Sequence, residues 1–252
     1  MLLIFQLEII KPLHCHWNIS MIIGIFGYDF LHYKTNAIVR DTFINGFSIG
    51  AVFLAPKINY ASDGSKISVD EDSKNLEIRE FCKKNHIPVY RVEHNDSTSV
   101  ATLVRKHNIN IGLIGGAKII HQNTIEIFKL GIINYHPGRI PETSGLDSIY
   151  RTIENSIPPC VTAHLIDNKV DAGLFILESI VNVFKDDSIE MISKRILDKQ
   201  IELNYLVLKG LEKKTFSLPK IHRPKKNNRL TVDQKKEIIS NFSNWKFLFT
   251  KE

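Results

Sequence analysis

Short runs of apolar residues alternate with amphipathic stretches along most of this chain. Strands that are buried on both faces are continuously apolar, whereas the helices that connect them repeat their apolar residues every three or four positions. This rhythm predicts βαβ units, and right-handed crossovers then produce a doubly wound, mostly parallel α/β sheet. The predicted strands are 22–26, 49–54, 88–92, 109–114 and 131–135, and the helices between them lie near 33–45, 74–85, 97–107 and 122–129.

The rhythm changes after Pro141. Two strand-like runs, 160–166 and 174–183, are separated by the short segment 167–173. A parallel crossover needs a dozen or more residues, so this spacing predicts an antiparallel hairpin. The other predicted elements are a polar loop at 57–72, a helix near 146–155 and a long amphipathic helix at about 188–210.

The two ends of the chain differ from its body. Residues 1–20 are rich in apolar side chains, but Gln6 and Glu8 interrupt them, and neither a basic region nor a small-residue cleavage site is present. This pattern favours an N-terminal extension over a secretion signal, and the segment is too short and too polar to span a membrane. We therefore predict an extension at 1–20, a main domain at 21–210 and a basic tail at 211–252.

Charge is distributed unevenly between the body and the tail. Residues 211–252 contain 11 Lys and Arg against 4 Asp and Glu, a balance of 11−4=+7, whereas the whole chain carries +6. The body at 1–210 therefore carries −1. A nucleic-acid-binding domain more often carries its positive charge on a face of the body. We therefore expect neither a nucleic-acid partner nor a membrane partner.

Cysteine and histidine patterns argue against structural disulfides and metals. Cys15, Cys82 and Cys160 are too few for a disulfide framework and indicate a reducing compartment, so we expect a cytoplasmic protein. No CxxC pair occurs, and the adjacent side chains of His14 to His16 are poorly spaced to share one ion. No metal site is predicted.

The sequence predicts one amphipathic helix in the tail. Thr231 and Gln234 have the spacing of a capping box that opens a short helix. Ile238, Ile239, Phe242 and Trp245 follow at the spacing of one helical face, so we expect this face to dock on the main domain or on a second subunit. A homodimer is therefore one open arrangement. The basic residues Lys225, Lys226 and Arg229 are expected to remain solvated.

Polar residues with catalytic potential follow the strand at 131–135. Asn134 and His136 are two residues apart, which places them on the same face at a carboxyl strand end, where open α/β sheets bind ligands. An amide donor beside an imidazole suits acyl transfer, because the amide stabilises an oxyanion and the imidazole moves a proton. Asp171, in the hairpin turn, could orient His136. A histidine with a purely structural hydrogen bond is the alternative interpretation.

The segments GGAKII, GIINYHPGRIPETSGLDSIY and PPCVTAHLIDNKVDAG together resemble the folate-dependent formyltransferase family. That family includes glycinamide ribonucleotide transformylase, methionyl-tRNA formyltransferase and the sugar N-formyltransferases. Its pattern is a strand ending in N-x-H-P, a loop ending in a Pro and then a Gly, a T-x-H strand and a V-D-x-G turn. The matching residues here, within about 21–210, are Asn134, His136 and Pro137; Pro141 and Gly145; Thr162 and His164; and Val170, Asp171 and Gly173.

The resemblance implies a Rossmann-like domain that takes its formyl group from 10-formyltetrahydrofolate and needs no metal. It also implies that Asn134, His136 and Asp171 are the catalytic residues. By family position, the pterin ring of the donor would lie between two segments. The residues so predicted to bind the donor are Gly116, Ala117, Lys118, Ile119 and Ile120 on one side, and Asp167, Lys169 and Val170 on the other.

The acceptor is where the chain departs from the family pattern. After N-x-H-P the family usually reads S-L-L-P, whereas this chain reads Gly138-Arg139-Ile140-Pro141. About 40 residues follow the last long predicted helix, fewer than the second domain that methionyl-tRNA formyltransferases carry. The resemblance therefore favours a nucleotide-linked 4-amino-4,6-dideoxyhexose, used for bacterial surface polysaccharide such as the O-antigen of lipopolysaccharide. Arg139, Glu142 and Gly145 are the predicted acceptor contacts, with Arg139 facing a diphosphate.

Four alternatives stay open at this point. The acceptor could be methionyl-tRNA or glycinamide ribonucleotide, or the protein could hydrolyse formyltetrahydrofolate with water as the acceptor. A binding module without catalysis is the remaining interpretation, and the presence of Asn134, His136 and Asp171 argues against it.

Overall fold

The computed structural model describes residues 20–60, 66–70, 75–169, 171–221 and 227–250. The strands are β1 Ile22–Tyr28, β2 Ser48–Ala55, β3 Lys57–Tyr60, β4 Lys66–Asp70, β5 Val89–Arg91, β6 Ile111–Ile114, β7 Ile132–His136, β8 Cys160–Leu165 and β9 Leu174–Ile180. The helices are α1 Tyr33–Ile44, α2 Leu76–Lys84, α3 Ser97–Lys106, α4 Gln122–Ile125, α5 Ser148–Glu154, α6 Ile189–Glu212, α7 Val232–Ser240 and α8 Phe242–Phe249.

Seven of the described strands form one sheet in the order β5-β2-β1-β6-β7-β8-β9. The five strands from β5 to β7 are parallel, and β8 and β9 continue the sheet in antiparallel pairs. The predicted class, a doubly wound and mostly parallel sheet with an antiparallel hairpin, is confirmed. The direction of strand order reverses at β1, and β7 lies where the parallel part meets the antiparallel part.

Both faces of the sheet are covered, which explains why its parallel strands are continuously apolar. Strand β1 illustrates this, since Ile23 and Ile25 belong to the core on the side of α1 and α6. Phe26 points to the opposite core, where its ring lies 5.5 Å from that of Phe128. An apolar residue is therefore required on each side of the strand.

Two predicted elements are wrong in detail. The stretch predicted as a polar loop contains the β3–β4 hairpin, in which Ile58 pairs with Val69 and Lys57 with Asp70. The sequences KINY and KISVD alternate apolar and polar residues, which is typical of a strand with one exposed face, so polarity alone was misleading. The helix predicted near 122–129 is reduced to α4, Gln122–Ile125.

The tail packs on the main domain through two helices rather than one. The predicted capping box between Thr231 and Gln234 forms. Helix α7 then ends, and Asn241 separates it from α8. Trp245 is 1% exposed, and its Nε1–H donates to the carbonyl oxygen of Ile157 at 2.9 Å. Ile239, predicted on the docking face, is instead 43% exposed, because the break at Asn241 ends the helical register that joined it to Trp245.

Some predictions fall beyond the part of the chain that the structure describes. These concern the N-terminal extension up to residue 19, together with Val170, Lys225 and Lys226. Arg229 is described and is exposed. Across the described ranges, no helix combines the length and the apolar character that a membrane crossing requires.

Candidate active site

Strand pairing brings the polar residues of β7 and β8 onto one face. In the β7–β8 ladder, Asn134 pairs with His164 and His136 pairs with Thr162. Directly paired residues in a sheet project to the same side, and residues two apart on one strand do so as well. The two motifs N-x-H and T-x-H therefore form one polar patch beside the carboxyl end of β7, in which Asn134 is half-buried and the other three residues are buried.

Asp171 reaches this patch from the turn between β8 and β9. Its Oδ1 lies 3.3 Å from Nδ1 of His136. The turn depends on Gly173, whose φ is +104° and where a side-chain Cβ would lie 2.0 Å from the carbonyl oxygen of Leu165. Only glycine avoids that clash, so the V-D-x-G sequence has a direct structural reason.

The pKa of Asp171 is lowered below its ordinary value. Burial of the carboxyl group raises the pKa, but the hydrogen bond and the charge of His136, together with the backbone N–H of Gly145, outweigh burial. A carboxylate is favoured by nearby positive charge and by N–H donors. Asp171 is therefore ionised at neutral pH and faces His136 as an anion.

The other nitrogen of His136 is held by the loop that follows β7. Its Nε2 lies 3.0 Å from the carbonyl oxygen of Thr143 and 3.3 Å from Oγ of Ser148. Thr143 can approach because residue 138 is glycine, where a Cβ would lie 2.1 Å from the Thr143 Oγ1. The carbonyl and the carboxylate can only accept, whereas the Ser148 hydroxyl can also donate, so partners on both nitrogens fix the orientation of the ring.

His164 fixes the orientation of the Asn134 amide. The Nδ1 of His164 lies 2.9 Å from the carbonyl oxygen of Ala172 and must therefore carry the proton. Burial lowers the pKa of His164 to about 4, so its Nε2 is an acceptor at neutral pH. The Asn134 Nδ2 donates to it at 3.2 Å. The amide nitrogen rather than the oxygen thus faces His164, and its second N–H remains available for another acceptor.

The segment predicted to bind one side of the donor follows β6. Gly116 is buried and packs so closely on His32 that a Cβ would lie 2.8 Å from the imidazole Cε1. Ala117 is half-buried, whereas Lys118 and Ile119 are exposed. Ile120 belongs to the hydrophobic core and is 6% exposed, so its side chain is already covered by protein.

The opposite predicted segment lies in the turn before Asp171. The half-buried Asp167 accepts a hydrogen bond from the backbone N–H of Lys169 at 2.8 Å, and Lys169 is exposed. Ile166 at the start of this turn packs on the same apolar cluster as Ala117. The exposed Ile119 and the half-buried Ala117 and Ile166 suit the apolar face of a flat ring, such as the pterin that the family implies.

The three predicted acceptor contacts have different surroundings. The guanidinium group of Arg139 forms a bidentate pair with Glu178 on β9, with an Nη2–Oε1 distance of 2.7 Å. The side chain of Glu142 is exposed. Gly145 uses its backbone N–H to bind the Asp171 carboxylate, which makes it a partner of the predicted catalytic carboxylate.

Reasoning from individual residues missed His164, Thr143 and Ser148 as parts of the site. The T-x-H motif contained a signal for His164, since a histidine paired across the ladder from Asn134 shares its face. Thr143 and Ser148 carry no such signal, because only the folded loop brings them to His136. Among the described residues, no group of three or more His, Cys, Asp or Glu side chains could hold a metal ion.

Comparison with known proteins agrees with this geometry. A family model described as formyl transferase matches residues 55–208. The phosphoribosylglycinamide formyltransferase of Haemophilus influenzae is 32% identical over 100 residues, which cover 39% of this chain and 47% of that protein. The methionyl-tRNA formyltransferase of Fusobacterium nucleatum is 26% identical over 137 residues, which cover 54% of this chain and 43% of that protein. The chain thus spans less than half the length of these two curated relatives.

Solved structures share the fold at lower sequence identity. The phosphoribosylglycinamide formyltransferase of Streptococcus pneumoniae TIGR4 matches with a TM-score of 0.57 and 21% identity, over 76% of this chain and 99% of that one. A sugar N-formyltransferase from Shewanella sp FDAARGOS_354 matches with a TM-score of 0.59 and 14% identity, over 88% of this chain and 87% of that one. The family match covers more than half of the sequence, and this chain therefore belongs to the formyl transferase family.

Proposed function

We propose that this protein transfers the formyl group of 10-formyltetrahydrofolate to the amine of a nucleotide-linked amino sugar. The observation that carries the transfer chemistry is the cluster at the carboxyl end of β7, where His136 Nδ1 lies 3.3 Å from Asp171 Oδ1 and Asn134 is oriented beside them. This part of the proposal rests on an amide donor, an imidazole and a carboxylate within one small region.

Asn134 would stabilise the negative charge that develops on the formyl oxygen. One of its Nδ2–H bonds is directed to His164, which leaves the second N–H for the substrate. A donor that is oriented before reaction costs no reorganisation when the charge develops, and removing such a donor typically slows acyl transfer by about 10²–10³-fold. His164 would act as a positioning residue for Asn134.

His136 and Asp171 would assist transfer of a proton from the acceptor amine. The acceptor amine forms a bond to the formyl carbon, the bond from that carbon to the folate nitrogen breaks, and one amine proton ends on the departing nitrogen. The Asp171 carboxylate would stabilise the imidazolium form of His136 while the proton moves. In this structure Nε2 of His136 is bound to Thr143, so the ring acts on a substrate when that bond is exchanged.

The segments 116–120 and 166–169 would hold the folate donor between them. Ala117 and Ile166 pack on one apolar cluster and so line the same side of the sheet, and Ile119 is 64% exposed beside them. Ile119 would cover the ring face and the turn backbone would contact its polar edge. Ile120 would contribute through its backbone, because its side chain is in the core.

The amino-sugar acceptor is supported by the extent of the fold match. The sugar N-formyltransferase structure covers 88% of this chain, against 76% for the purine-pathway enzyme. We favour a 4-amino-4,6-dideoxyhexose carried on a nucleoside diphosphate, destined for surface polysaccharide. Arg139 would contact the diphosphate by exchanging one or both of its hydrogen bonds with Glu178, since guanidinium groups bind carboxylate and phosphate in similar geometry.

The acceptor can be identified in a single assay of the full-length protein with 10-formyltetrahydrofolate. Parallel reactions would contain a panel of amino-sugar nucleotides, glycinamide ribonucleotide, charged methionyl-tRNA or no amine. Turnover that depends on an amino-sugar nucleotide supports the proposal. Turnover with either of the other amines would replace the acceptor, formate release without an amine would indicate a hydrolase, and no turnover in any reaction would contradict formyl transfer.

A further inference from the structure

The C-terminal tail forms hydrogen bonds with the loop that follows β7 at the candidate active site. The Nδ2 of Asn227 donates to the carbonyl oxygens of Glu142 and Ser144, at 3.0 and 3.1 Å. Farther along the tail, the backbone N–H of Leu230 donates to Oδ2 of Asp147 at 3.0 Å. These contacts join residues 227–235, which we name the tail segment, to residues 142–148, which we name the covering loop.

The inner side of the covering loop holds both His136 and Asp171. The carbonyl oxygen of Thr143 lies 3.0 Å from Nε2 of His136, and the N–H of Gly145 binds the Asp171 carboxylate. Ser144 lies between these two residues in the sequence and is completely buried. A movement of the backbone at Ser144 would therefore displace a hydrogen-bond partner of each member of the pair.

A single peptide plane connects Asn227 to Asp171. The carbonyl group of Ser144 and the N–H of Gly145 belong to the same peptide unit, which is planar and rotates as one body. Asn227 binds the oxygen end of this unit, and Asp171 binds its N–H end. A hydrogen bond at the carbonyl also polarises the N–H of the same unit and strengthens its bond to the carboxylate.

The rest of the tail segment holds Asn227 in place. Lys235 on α7 forms an ion pair with Oδ1 of Asp147, and the Nη2 of Arg151 donates to the carbonyl oxygen of Asn228 at 2.9 Å. Leu230 is 5% exposed and belongs to the main hydrophobic core. The tail segment after Asn227 is thus fixed by an ion pair, a hydrogen bond to its backbone and apolar burial.

From these contacts we infer that Asn227 is a positioning residue, which orients the Ser144–Gly145 peptide and thereby the His136–Asp171 pair. The inference rests on the proposed formyl transfer and assigns the tail a part in that reaction. It predicts that loss of the Asn227 donor lowers kcat more than it changes the KM for the formyl donor. A misplacement of about 1 Å at a reacting group can cost about a hundredfold in rate.

The test compares Asn227→Asp with Asn228→Asp in the full-length protein. Both replace an amide by a carboxylate of the same size in adjacent positions, but Asn228 is exposed and contacts Arg151 through its backbone. We expect Asn227→Asp to lower kcat by roughly ten- to a hundredfold, with the donor KM within about twofold, whereas Asn228→Asp stays near wild type. Equal kcat values for the two variants would overturn the inference.

The pH profile gives a readout that general destabilisation would not move. Asp171 faces His136 on β7 and His164 on β8, and Asn227→Asp retains both histidines. Losing the Gly145 N–H would raise the Asp171 pKa toward its ordinary value, so the acidic limb of kcat should move to higher pH. An unshifted limb would indicate that Asn227 does not act through Asp171.

A measurement without substrate separates this inference from the proposed function. Nitrogen NMR of the His136 ring should differ between Asn227→Asp and the wild type but not between Asn228→Asp and the wild type. If the wild type transfers no formyl group yet these signals move, the proposed function fails and the positioning role stands. If Asn227→Asp is unfolded, Lys235→Ala is compared with Lys236→Ala, whose lysine pairs with Asp233 instead of the covering loop. Unfolding of both Asn227→Asp and Lys235→Ala, or unmoved His136 signals, would overturn the inference.

Discussion

The Nδ1 atom of His136 lies 3.3 Å from Oδ1 of Asp171, across the junction between a strand end and a hairpin turn. The remaining imidazole nitrogen faces the carbonyl oxygen of Thr143, so the ring is held between two acceptors. A histidine held in this way has a fixed ring orientation. This geometry gives the trio Asn134, His136 and Asp171 a specific chemical interpretation that can be tested residue by residue.

Removing either member of the pair should abolish most of the activity while the protein remains folded. We expect His136→Ala and Asp171→Asn to lower kcat by about 10²–10⁴-fold, the usual contribution of general acid–base groups. His121→Ala is the matched control, because His121 is exposed at the start of α4. Steady-state kinetics and a thermal melt of each variant provide the measurement. Full activity in a folded His136→Ala would contradict the assignment.

The contact between His164 and Asn134 should affect kcat, because it orients the Asn134 amide. His164→Leu removes the acceptor that orients Asn134 and should lower kcat by roughly tenfold or more, a part of the about 10²–10³-fold that loss of an oxyanion donor costs. His164→Gln retains one donor for Ala172 and one acceptor for Asn134, so it should recover part of the rate. Equal rates for the two variants would show that the Asn134–His164 bond does not matter for catalysis.

Buried neutral His164 should make stability fall in mild acid. In the unfolded chain a histidine takes up a proton below about pH 6.5, whereas folded His164 has a pKa of about 4. The unfolded state then binds more protons, so the free energy of unfolding decreases as the pH falls from about 6.5 toward 4, by about 1.4 kcal/mol per pH unit.

Chemical denaturation at several pH values checks this expectation. His164→Gln should have a shallower decrease in the free energy of unfolding than the wild type across this range. The exposed-site control His121→Gln should keep the wild-type slope. His94, whose pKa burial also lowers to about 4, is present in all three proteins and contributes equally. Parallel slopes for the wild type and His164→Gln would disprove the expectation.

The tail should contribute to stability through Trp245. Trp245→Ala removes a side chain that is 1% exposed and its hydrogen bond to Ile157. Truncation of a buried Trp to Ala typically costs about 3–5 kcal/mol. Phe247→Ala is the control on the same helix, because Phe247 is 82% exposed. Denaturation should distinguish the two variants, and similar stabilities would mean that the docked tail adds little.

The acceptor contact of Arg139 can be tested by its kinetic signature. If Arg139 binds the diphosphate, Arg139→Ala should raise the KM for the amino-sugar nucleotide by about tenfold or more, in line with the roughly 1.5–3 kcal/mol of a charged hydrogen bond. The KM for the formyl donor should remain near the wild-type value. An unchanged acceptor KM would assign Arg139 to the structural pair with Glu178 alone.

The sequence predicted the repeating architecture with few errors because that signal is local. Continuous apolar runs mark strands buried on both faces, and the short spacing at 167–173 marks the antiparallel hairpin. The β3–β4 hairpin was missed because its polar residues resemble a loop unless their alternation is counted. The three-residue spacing between Thr231 and Gln234 in the capping box was also a local signal, and it was correct.

The sequence by itself determined most strands and helices of the main domain, the motif residues Asn134, His136 and Asp171, and the capping box that opens the first tail helix. These depend on periodicity and on neighbouring residues. The tertiary structure alone decided that His164 orients Asn134, that Thr143 and Gly145 complete the His136–Asp171 pair, and that Asn227 binds the same peptide plane. Such contacts join segments far apart in the chain, and their distances depend on how loops pack, which no local pattern of residue types encodes.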